Sequence, residues 1–159
     1  MRAYIGLGSN LADPIDQVTT AISNLQLLPD TQLITWSSLY ASPPMGPQDQ
    51  PDYINAVVAI ETTLSAHQLL DGLQSIEQQQ GRIRKRHWGE RTLDLDILLY
   101  GQDQIDDTRL QIPHPGIALR AFVLYPLAEI AADIDIPNVG KMTQLLKDCP
   151  REGLRKLEK

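Results

Sequence analysis

The spacing of apolar residues predicts three strands in the first part of the chain. They span Arg2–Gly8, Thr31–Ala41 and Tyr53–Thr62, which are rich in β-branched, aromatic and other apolar residues. In the third, every second side chain from Ile54 to Ile60 shares one apolar face. A fourth strand is predicted over Thr92–Tyr100, where apolar residues alternate with two acids.

Apolar residues at helical spacing predict helices between these strands. The first helix runs from Pro14, with Asp13 as its N-cap, to about Leu27. The second follows a capping box of Ser65 and Gln68 and ends at Gly81.

The rest of the chain is less regular. Residues 104–112 fit either a short strand or an irregular segment. Two further helices are predicted over Ala118–Glu129, limited by Pro126, and over Lys141–Asp148. The order of the main elements is βαββαβ, the ferredoxin-like pattern. We therefore expect an α+β fold, with one mostly antiparallel sheet flanked by helices, in a single domain over residues 1–159.

Charge and composition exclude several classes of protein. The net charge is −6, which argues against a general nucleic-acid binder and against a basic helix on a membrane surface. No apolar stretch of about 18 residues occurs, and no signal peptide is evident, so a cytoplasmic location is expected. The only cysteine, Cys149, excludes an internal disulfide. A monomer is the default expectation.

Five of the 14 basic residues lie within residues 82–91 of this acidic chain. Arginine binds phosphate oxygens with two parallel hydrogen bonds, so the cluster indicates an anion site. A solvated charged turn is the alternative explanation.

Asp94 and Asp96 follow that cluster directly. Residues two apart in a strand share a face and lie about 6.6 Å apart, so both carboxylates point the same way. Such a pair suits one or two Mg²⁺ ions that also bind substrate phosphates. The alternative is a solvated acidic face of an edge strand. Beside the arginines, the metal interpretation fits a phosphoryl-transfer site.

Other residues suit a flat, phosphorylated ligand, although each also has an ordinary structural explanation. His114 lies between two prolines, which aim its imidazole towards a phosphate oxygen or a leaving group; without further context, a turn histidine bonded to a backbone carbonyl is the favoured explanation. Tyr53 and Phe122 could stack on a heterocycle or belong to the core. Asn55 shares a strand face with Tyr53 and could bind the edge of a ring. Neither a P-loop nor a complete dinucleotide fingerprint is present.

Four motifs together resemble the 6-hydroxymethyl-7,8-dihydropterin pyrophosphokinases of folate biosynthesis. They are GLGSNL, SPPMGPQDQPDYINAV, GRIRK with RTLDLDILLYG, and IPHP with RAFVLYPL, in family order. The resemblance implies that ATP donates its β,γ-pyrophosphate to the hydroxymethyl group of the dihydropterin, which releases AMP. It also implies two Mg²⁺ ions.

The resemblance carries roles to individual residues. It places Asp94 and Asp96 on the metals, and Arg82 and Arg91 on the transferring phosphates. The ATP contacts that it implies are Gln74, Glu77, Arg82, Arg84, Arg91, Ile97, Arg109, His114 and Arg120. The pterin contacts that it implies are Ser42, Pro43, Pro44, Met45, Tyr53, Asn55, Trp88 and Phe122. The loops 42–52 and 82–91 are expected to act as lids.

Two functions of other classes are alternatives to this enzyme. A nucleic-acid module built on a ferredoxin-like sheet would carry stacking aromatics on its central strands, and these strands lack them. A nucleotide sensor would bind ATP and the pterin without releasing AMP. The expected partners are therefore small molecules, with neither nucleic acid nor membrane among them.

Overall fold

A computed structural model describes residues 1–10, 13–43, 51–80, 93–151 and 153–157. The helices within these ranges are α1 (Pro14–Leu25), α2 (Ala66–Gln79), α3 (Ala121–Ile130) and α4 (Met142–Lys147). The first five strands are β1 (Arg2–Ser9), β2 (Thr31–Trp36), β3 (Tyr40–Ser42), β4 (Tyr53–Thr62) and β5 (Asp94–Tyr100). Five two-residue strands follow: β6 (Ile105–Asp106), β7 (Gln111–Ile112), β8 (Asp135–Ile136), β9 (Gly140–Lys141) and β10 (Arg155–Lys156).

The main sheet has the order β10–β3–β4–β1–β5, and β2 also pairs with β4. Every pair in it is antiparallel. With β2 and β3 counted as the second strand, this is the strand order of a ferredoxin-like βαββαβ unit. The predicted α+β fold with a mostly antiparallel sheet and flanking helices is confirmed.

The sheet is buried on both faces. On one face, Ile5, Leu95 and Ile97 pack with residues of α1 and α2, such as Val18 and Leu73. On the opposite face, β-strand residues pack with α3 and α4, and examples are Val57, Leu98, Leu124 and Met142. Side chains alternate between these two environments along β1, β4 and β5, except at a bulge of β5, where Leu98 and Leu99 both face the α3 side.

The strand predicted over Thr31–Ala41 is wrong in one respect, because it is interrupted between Trp36 and Tyr40. A contact with a distant part of the chain causes this interruption. The N–H of Ser38 donates to both oxygens of the Glu129 carboxylate on α3, at 3.1 and 3.0 Å, instead of joining a ladder. Its neighbour Ser37 uses its hydroxyl to accept the N–H of Val57.

Other boundaries moved by a few residues. The helix predicted from Ala118 begins at Ala121, because Ile117 and Leu119 form tight turns and Arg120 is extended. Pro126 does not limit that helix, which continues to Ile130. Residues 104–112, whose sequence fits either a short strand or an irregular segment, form the short hairpin β6–β7. The capping box of Ser65 and Gln68 is confirmed.

In the described ranges, none of the helices has both the length and the apolar character needed to cross a membrane. The assignment of residues 1–159 to one domain stays a prediction.

Candidate active site

The register of the sheet aligns the site residues on neighbouring strands. Gly8 of β1 lies opposite Asn55 of β4 on one side and opposite Asp94 of β5 on the other. Residues directly opposite each other in an antiparallel ladder share a face. Asn55, Gly8 and Asp94 therefore form a row on the face that carries α3, and Phe122 of α3 packs on this same face.

The two aspartates point away from the core formed with α1 and α2. Leu93, Leu95 and Ile97, which alternate with them, are at most 4% exposed. Asp94 is half-buried and Asp96 is exposed. The two carboxylates therefore share a face, as the alternation of side chains along the strand predicts.

Glu77 of α2 is a buried carboxylate beside that pair, with 6% exposure. Its Oε2 accepts the N–H of Leu95 at 2.8 Å. Since Leu95 lies between the two aspartates, this bond ties the start of β5 to α2. The structure places Glu77, predicted as an ATP contact, where it holds the strand that carries the aspartates.

A cleft of about 370 Å³ opens beyond β5, at the end of the sheet. Four predicted site residues line it together: Asp96, Ile97, Arg109 and His114. Leu70 of α2 and Leu110 add apolar walls. A cleft with apolar walls and a few convergent polar groups is typical of a small-molecule site. The carboxylates thus lie between Asn55 and this cleft.

Two predicted ATP residues meet at the mouth of the cleft. Nη2 of Arg109 donates to Oδ1 of Asp71 at 2.7 Å and to Oε1 of Gln74 at 3.4 Å. Both acceptors are on α2, so the arginine is held against this helix.

His114 is held by its own turn. Its Nδ1 accepts the N–H of Gly116 at 3.1 Å, so the neutral ring carries its proton on Nε2. Burial lowers the pKa of His114, Asp96 opposes this effect and Arg120 adds to it. The imidazole is therefore a neutral donor at physiological pH. The Arg120 guanidinium lies over the Phe122 ring, 5.8 Å from its centroid.

Residues predicted to bind the pterin ring lie around the side-chain amide of Asn55. The Ser42 hydroxyl donates to Oδ1 of Asn55 at 2.8 Å, and Tyr53 lies opposite Ser42 across β3 and β4. A Cβ at Gly8 would lie 3.1 Å from Nδ2 of Asn55, closer than ordinary packing allows. Glycine at this position leaves the surface between the amide and the aspartates open.

Asn10 is a site-supporting residue that the sequence analysis did not single out. It is fully buried, and its Nδ2 donates to the Pro51 carbonyl at 3.0 Å. It thereby holds the end of the Pro-rich loop against β1. The sequence feature that could have identified this role is the pair Ser9 and Asn10 at the end of an apolar strand.

Six predicted site residues lie outside the described residues. They are Pro44, Met45, Arg82, Arg84, Trp88 and Arg91. Most of the loop 42–52 and all of the loop 82–91, the two predicted lids, also lie outside the described residues. Pro43 lies within them and is exposed. Within the described ranges, no group of three or more His, Cys, Asp or Glu side chains gathers as metal ligands.

The sequence profile of the 7,8-dihydro-6-hydroxymethylpterin-pyrophosphokinase (HPPK) family matches residues 4–132. That is most of the chain, and it includes the described aspartates, the cleft and the Asn55 row. The chain belongs to this family. The reaction of the HPPK family is transfer of pyrophosphate from ATP to hydroxymethyldihydropterin, a step of folate biosynthesis. The predicted family and reaction are confirmed.

Curated HPPK relatives match nearly end to end. The chain is 49% identical to the 2-amino-4-hydroxy-6-hydroxymethyldihydropteridine pyrophosphokinase of Pseudomonas aeruginosa, over 98% of this chain and 96% of that protein. It is 54% identical to the protein of the same name from Haemophilus influenzae, over 99% of this chain and 98% of that protein.

Solved HPPK structures share the fold. A crystal structure of Plasmodium falciparum HPPK-DHPS with STZ-DHP matches with a TM-score of 0.72 at 13% identity. The match covers 92% of this chain and 43% of that longer one. At this identity the likeness concerns the fold alone.

Proposed function

We propose that this chain transfers the β,γ-pyrophosphate of ATP to the hydroxymethyl group of 6-hydroxymethyl-7,8-dihydropterin, with two Mg²⁺ ions held by Asp94 and Asp96. The hydroxymethyl oxygen loses its proton to water and bonds to the β-phosphorus, the bond from that phosphorus to the oxygen shared with the α-phosphorus breaks, and AMP leaves. One observation carries the proposal: the carboxylate pair lies between Asn55 and the cleft.

The donor set fits magnesium. Asp94 and Asp96 offer carboxylate oxygens, which are the ligands that Mg²⁺ prefers, and they leave the remaining positions to water and substrate phosphates. When bound, the ions would stabilise the charge that develops on the transferring group. The aspartates act from a strand that Glu77 holds in place, so little reorganisation is needed when the substrates arrive.

ATP belongs in the cleft beyond β5. Its base would contact Leu70, Ile97 and Leu110, and the neutral His114 would donate from Nε2 to a phosphate or ribose oxygen. Arg109 would exchange its contact with Asp71 for one with the nucleotide. Arg84 and Arg120 would add further contacts to the phosphates.

The pterin belongs on the Asn55 side of the aspartates. Its ring would stack between Tyr53 and Phe122, with Trp88 covering it, while Asn55 and the backbone near Ser42 and Met45 bind its polar edge. Ser42 holds Oδ1 of Asn55, so the amide meets the ring already oriented. The row Asn55–Gly8–Asp94 then directs the hydroxymethyl group towards the metals.

Arg82 and Arg91 complete the proposal on the strength of the family motif. Guanidinium groups would neutralise charge as AMP departs. Arg82→Ala should lower kcat far more than it weakens ATP binding, because the contact forms mainly in the transition state. An effect confined to KM would contradict this role.

The decisive experiment incubates the protein with Mg²⁺, ATP and the hydroxymethyldihydropterin and measures AMP. Stoichiometric AMP and pterin diphosphate are expected, and neither should form when Mg²⁺ is chelated. The nucleotide sensor predicts binding of both ligands without AMP. Absence of AMP with a folded, ligand-binding protein would therefore replace the enzyme with the sensor.

The location and oligomeric state stay predictions. A cytoplasmic monomer is proposed, and size-exclusion chromatography with light scattering would test its mass. A dimer mass would contradict the monomer.

A further inference from the structure

One wall of the cleft is the turn 107–110, which joins β6 to β7. The Asp107 side chain organises this turn, because its Oδ1 accepts the N–H groups of both Arg109 and Leu110 at 2.9 Å. The backbone N–H of Asp107 also donates to the Leu110 carbonyl at 3.0 Å. An aspartate that accepts backbone N–H groups two and three residues ahead stabilises a tight turn.

The second oxygen of the same carboxylate reaches another element. Oδ2 of Asp107 lies 2.7 Å from Nε2 of His67, near the start of α2. The hydrogen bond from the Arg109 backbone is the largest cause that lowers the pKa of Asp107, burial opposes it, and His67 adds to it. Asp107 is therefore an ionised group that joins the turn to the helix.

The same face of α2 also holds the arginine that the turn carries. His67, Asp71 and Gln74 are separated by four and three residues, so they share one helix face. Arg109 contacts the latter two. The turn is thus attached to α2 at two points, one at His67 and one at Asp71 and Gln74. Leu70 lies between these points along the helix and lines the cleft.

These contacts are too exposed to contribute much to folding stability. The side chains of His67 and Asp107 are 43% and 44% exposed. Ion pairs at such exposure stabilise proteins little. Their main consequence is geometric, since they set the position of Arg109 and Leu110 relative to Leu70.

We propose that His67 and Asp107 are positioning residues for the nucleotide: the pair clamps the turn 107–110 onto α2 and so preorganises the wall of the cleft. The inference rests on the proposed placement of ATP in this cleft. A wall that is already ordered lowers the cost of binding. Loss of the clamp therefore weakens nucleotide binding and leaves the chemical step unchanged.

The test compares KM for ATP, KM for the pterin and kcat in four variants. His67→Ala and Asp107→Ala should each raise KM for ATP about 3- to 10-fold, as expected for one or two lost hydrogen bonds. Both kcat and the KM for the pterin should stay within about twofold. Asp107→Asn and His67→Gln should recover most of the loss, because the amides can make the same turn and clamp hydrogen bonds.

Asp106→Asn is the matched control. Asp106 precedes the clamp residue on the same hairpin, contacts Gln111 at 3.3 Å, and lines a neighbouring cavity of about 440 Å³ instead of this cleft. It should leave KM for ATP unchanged. Melting temperatures of all variants should stay within about 3 °C of the wild type.

Calorimetric Kd values for a non-hydrolysable ATP analogue with Mg²⁺ separate this inference from the proposed function. Failure of the wild type to release AMP would count against the function only, and the Kd series would still test the clamp. Wild-type Kd and KM in both alanine variants would overturn the clamp. An equal rise in KM for both substrates, together with a melting temperature lowered by more than about 3 °C, would also overturn the clamp, because it indicates a general structural role.

Discussion

Gly8 lies between the amide of Asn55 and the carboxylate of Asp94, one on each neighbouring strand. The groups proposed to bind the substrates are each oriented by a neighbouring residue. The amide is oriented by Ser42, the aspartates are held through Glu77, and the imidazole of His114 is oriented by Gly116. At the scale of the residue, the site consists of groups whose donors and acceptors are preset by a neighbour.

Gly8→Ala should raise KM for the pterin about tenfold and leave KM for ATP within about twofold. The new methyl group would lie 3.1 Å from Nδ2 of Asn55 and displace the amide, and one or two hydrogen bonds are worth about that factor. Steady-state kinetics with each substrate varied would measure it. Gly72→Ala, whose Cβ meets Leu28, is the control, and an unchanged pterin KM in Gly8→Ala would contradict the placement.

Asp94→Ala and Asp96→Ala should each lower kcat/KM at least about 100-fold, because metal-stabilised charge is worth several kcal/mol. Initial rates of AMP release over a range of Mg²⁺ concentrations would measure the loss. Asp103→Ala removes an exposed carboxylate from the turn after β5 and should leave activity intact. Near-normal turnover of both site variants would exclude the metal assignment.

At the scale of the element, the Glu129 carboxylate adds polar contacts to the apolar packing of helix α3 on the sheet. The Glu129 side chain accepts hydrogen bonds from the Ser38 N–H, the Ser38 hydroxyl and the Tyr40 hydroxyl, the last two at 2.9 and 2.7 Å. Burial raises the pKa of Glu129, but the bonds from Tyr40 and Ser38 outweigh it and hold the pKa below the usual 4.5. The same helix carries Phe122, so this attachment also places a predicted pterin contact.

Glu129→Gln should lower the free energy of unfolding by about 1–2 kcal/mol at pH 7, as expected for hydrogen bonds to a charged group. Because the folded pKa is the lower one, the carboxylate stabilises the protein above the unfolded pKa. That stabilisation is lost as the pH falls through the folded value. Urea unfolding at pH 7 and at progressively lower pH would show the difference between wild type and variant shrinking below about pH 4.5.

Glu61→Gln is the control for that series. Glu61 pairs with the N-terminus and Arg2 at a position that is 44% exposed, so its replacement should have the smaller effect at pH 7. If the difference in free energy of unfolding between the wild type and Glu129→Gln stays constant with pH, the charge on Glu129 does not stabilise the fold.

At the scale of the whole molecule, the sheet joins two layers that each contribute to the site. Leu70 of α2 lines the cleft, whereas Phe122 of α3 packs on the face that carries Asn55. Strands β5 and β1 connect the two regions, through Asp96 and the Asn55–Gly8–Asp94 row. A ligand that contacts residues from both layers binds the folded chain and not the unfolded chain.

ATP with Mg²⁺ at about 100 times its Kd should stabilise the fold by about 2.7 kcal/mol. For a chain of this size, that raises the melting temperature by about 5–10 °C. Thermal unfolding with and without the ligand would measure the shift, and excess chelator should abolish the part that depends on the metal. An unchanged melting temperature at saturating ATP would contradict a nucleotide site in the folded protein.

The sequence alone predicts the basic cluster in residues 82–91 as an anion site, and that prediction lies outside the described residues. Local patterns also predicted the capping box at Ser65, the alternation that points Asp94 and Asp96 away from the core, and the βαββαβ order. These features depend on residues a few positions apart, and helix and strand periodicities act over that distance.

Long-range contacts decided the rest. The interruption after Trp36 depends on Glu129, which is 91 residues from Ser38. The clamp joins His67 to Asp107, and Asn10 holds Pro51 across 41 residues. The row Asn55–Gly8–Asp94 exists only because three strands adopt one register. A shift by one residue would move every side chain to the other face, so only the folded sheet settles which residues meet.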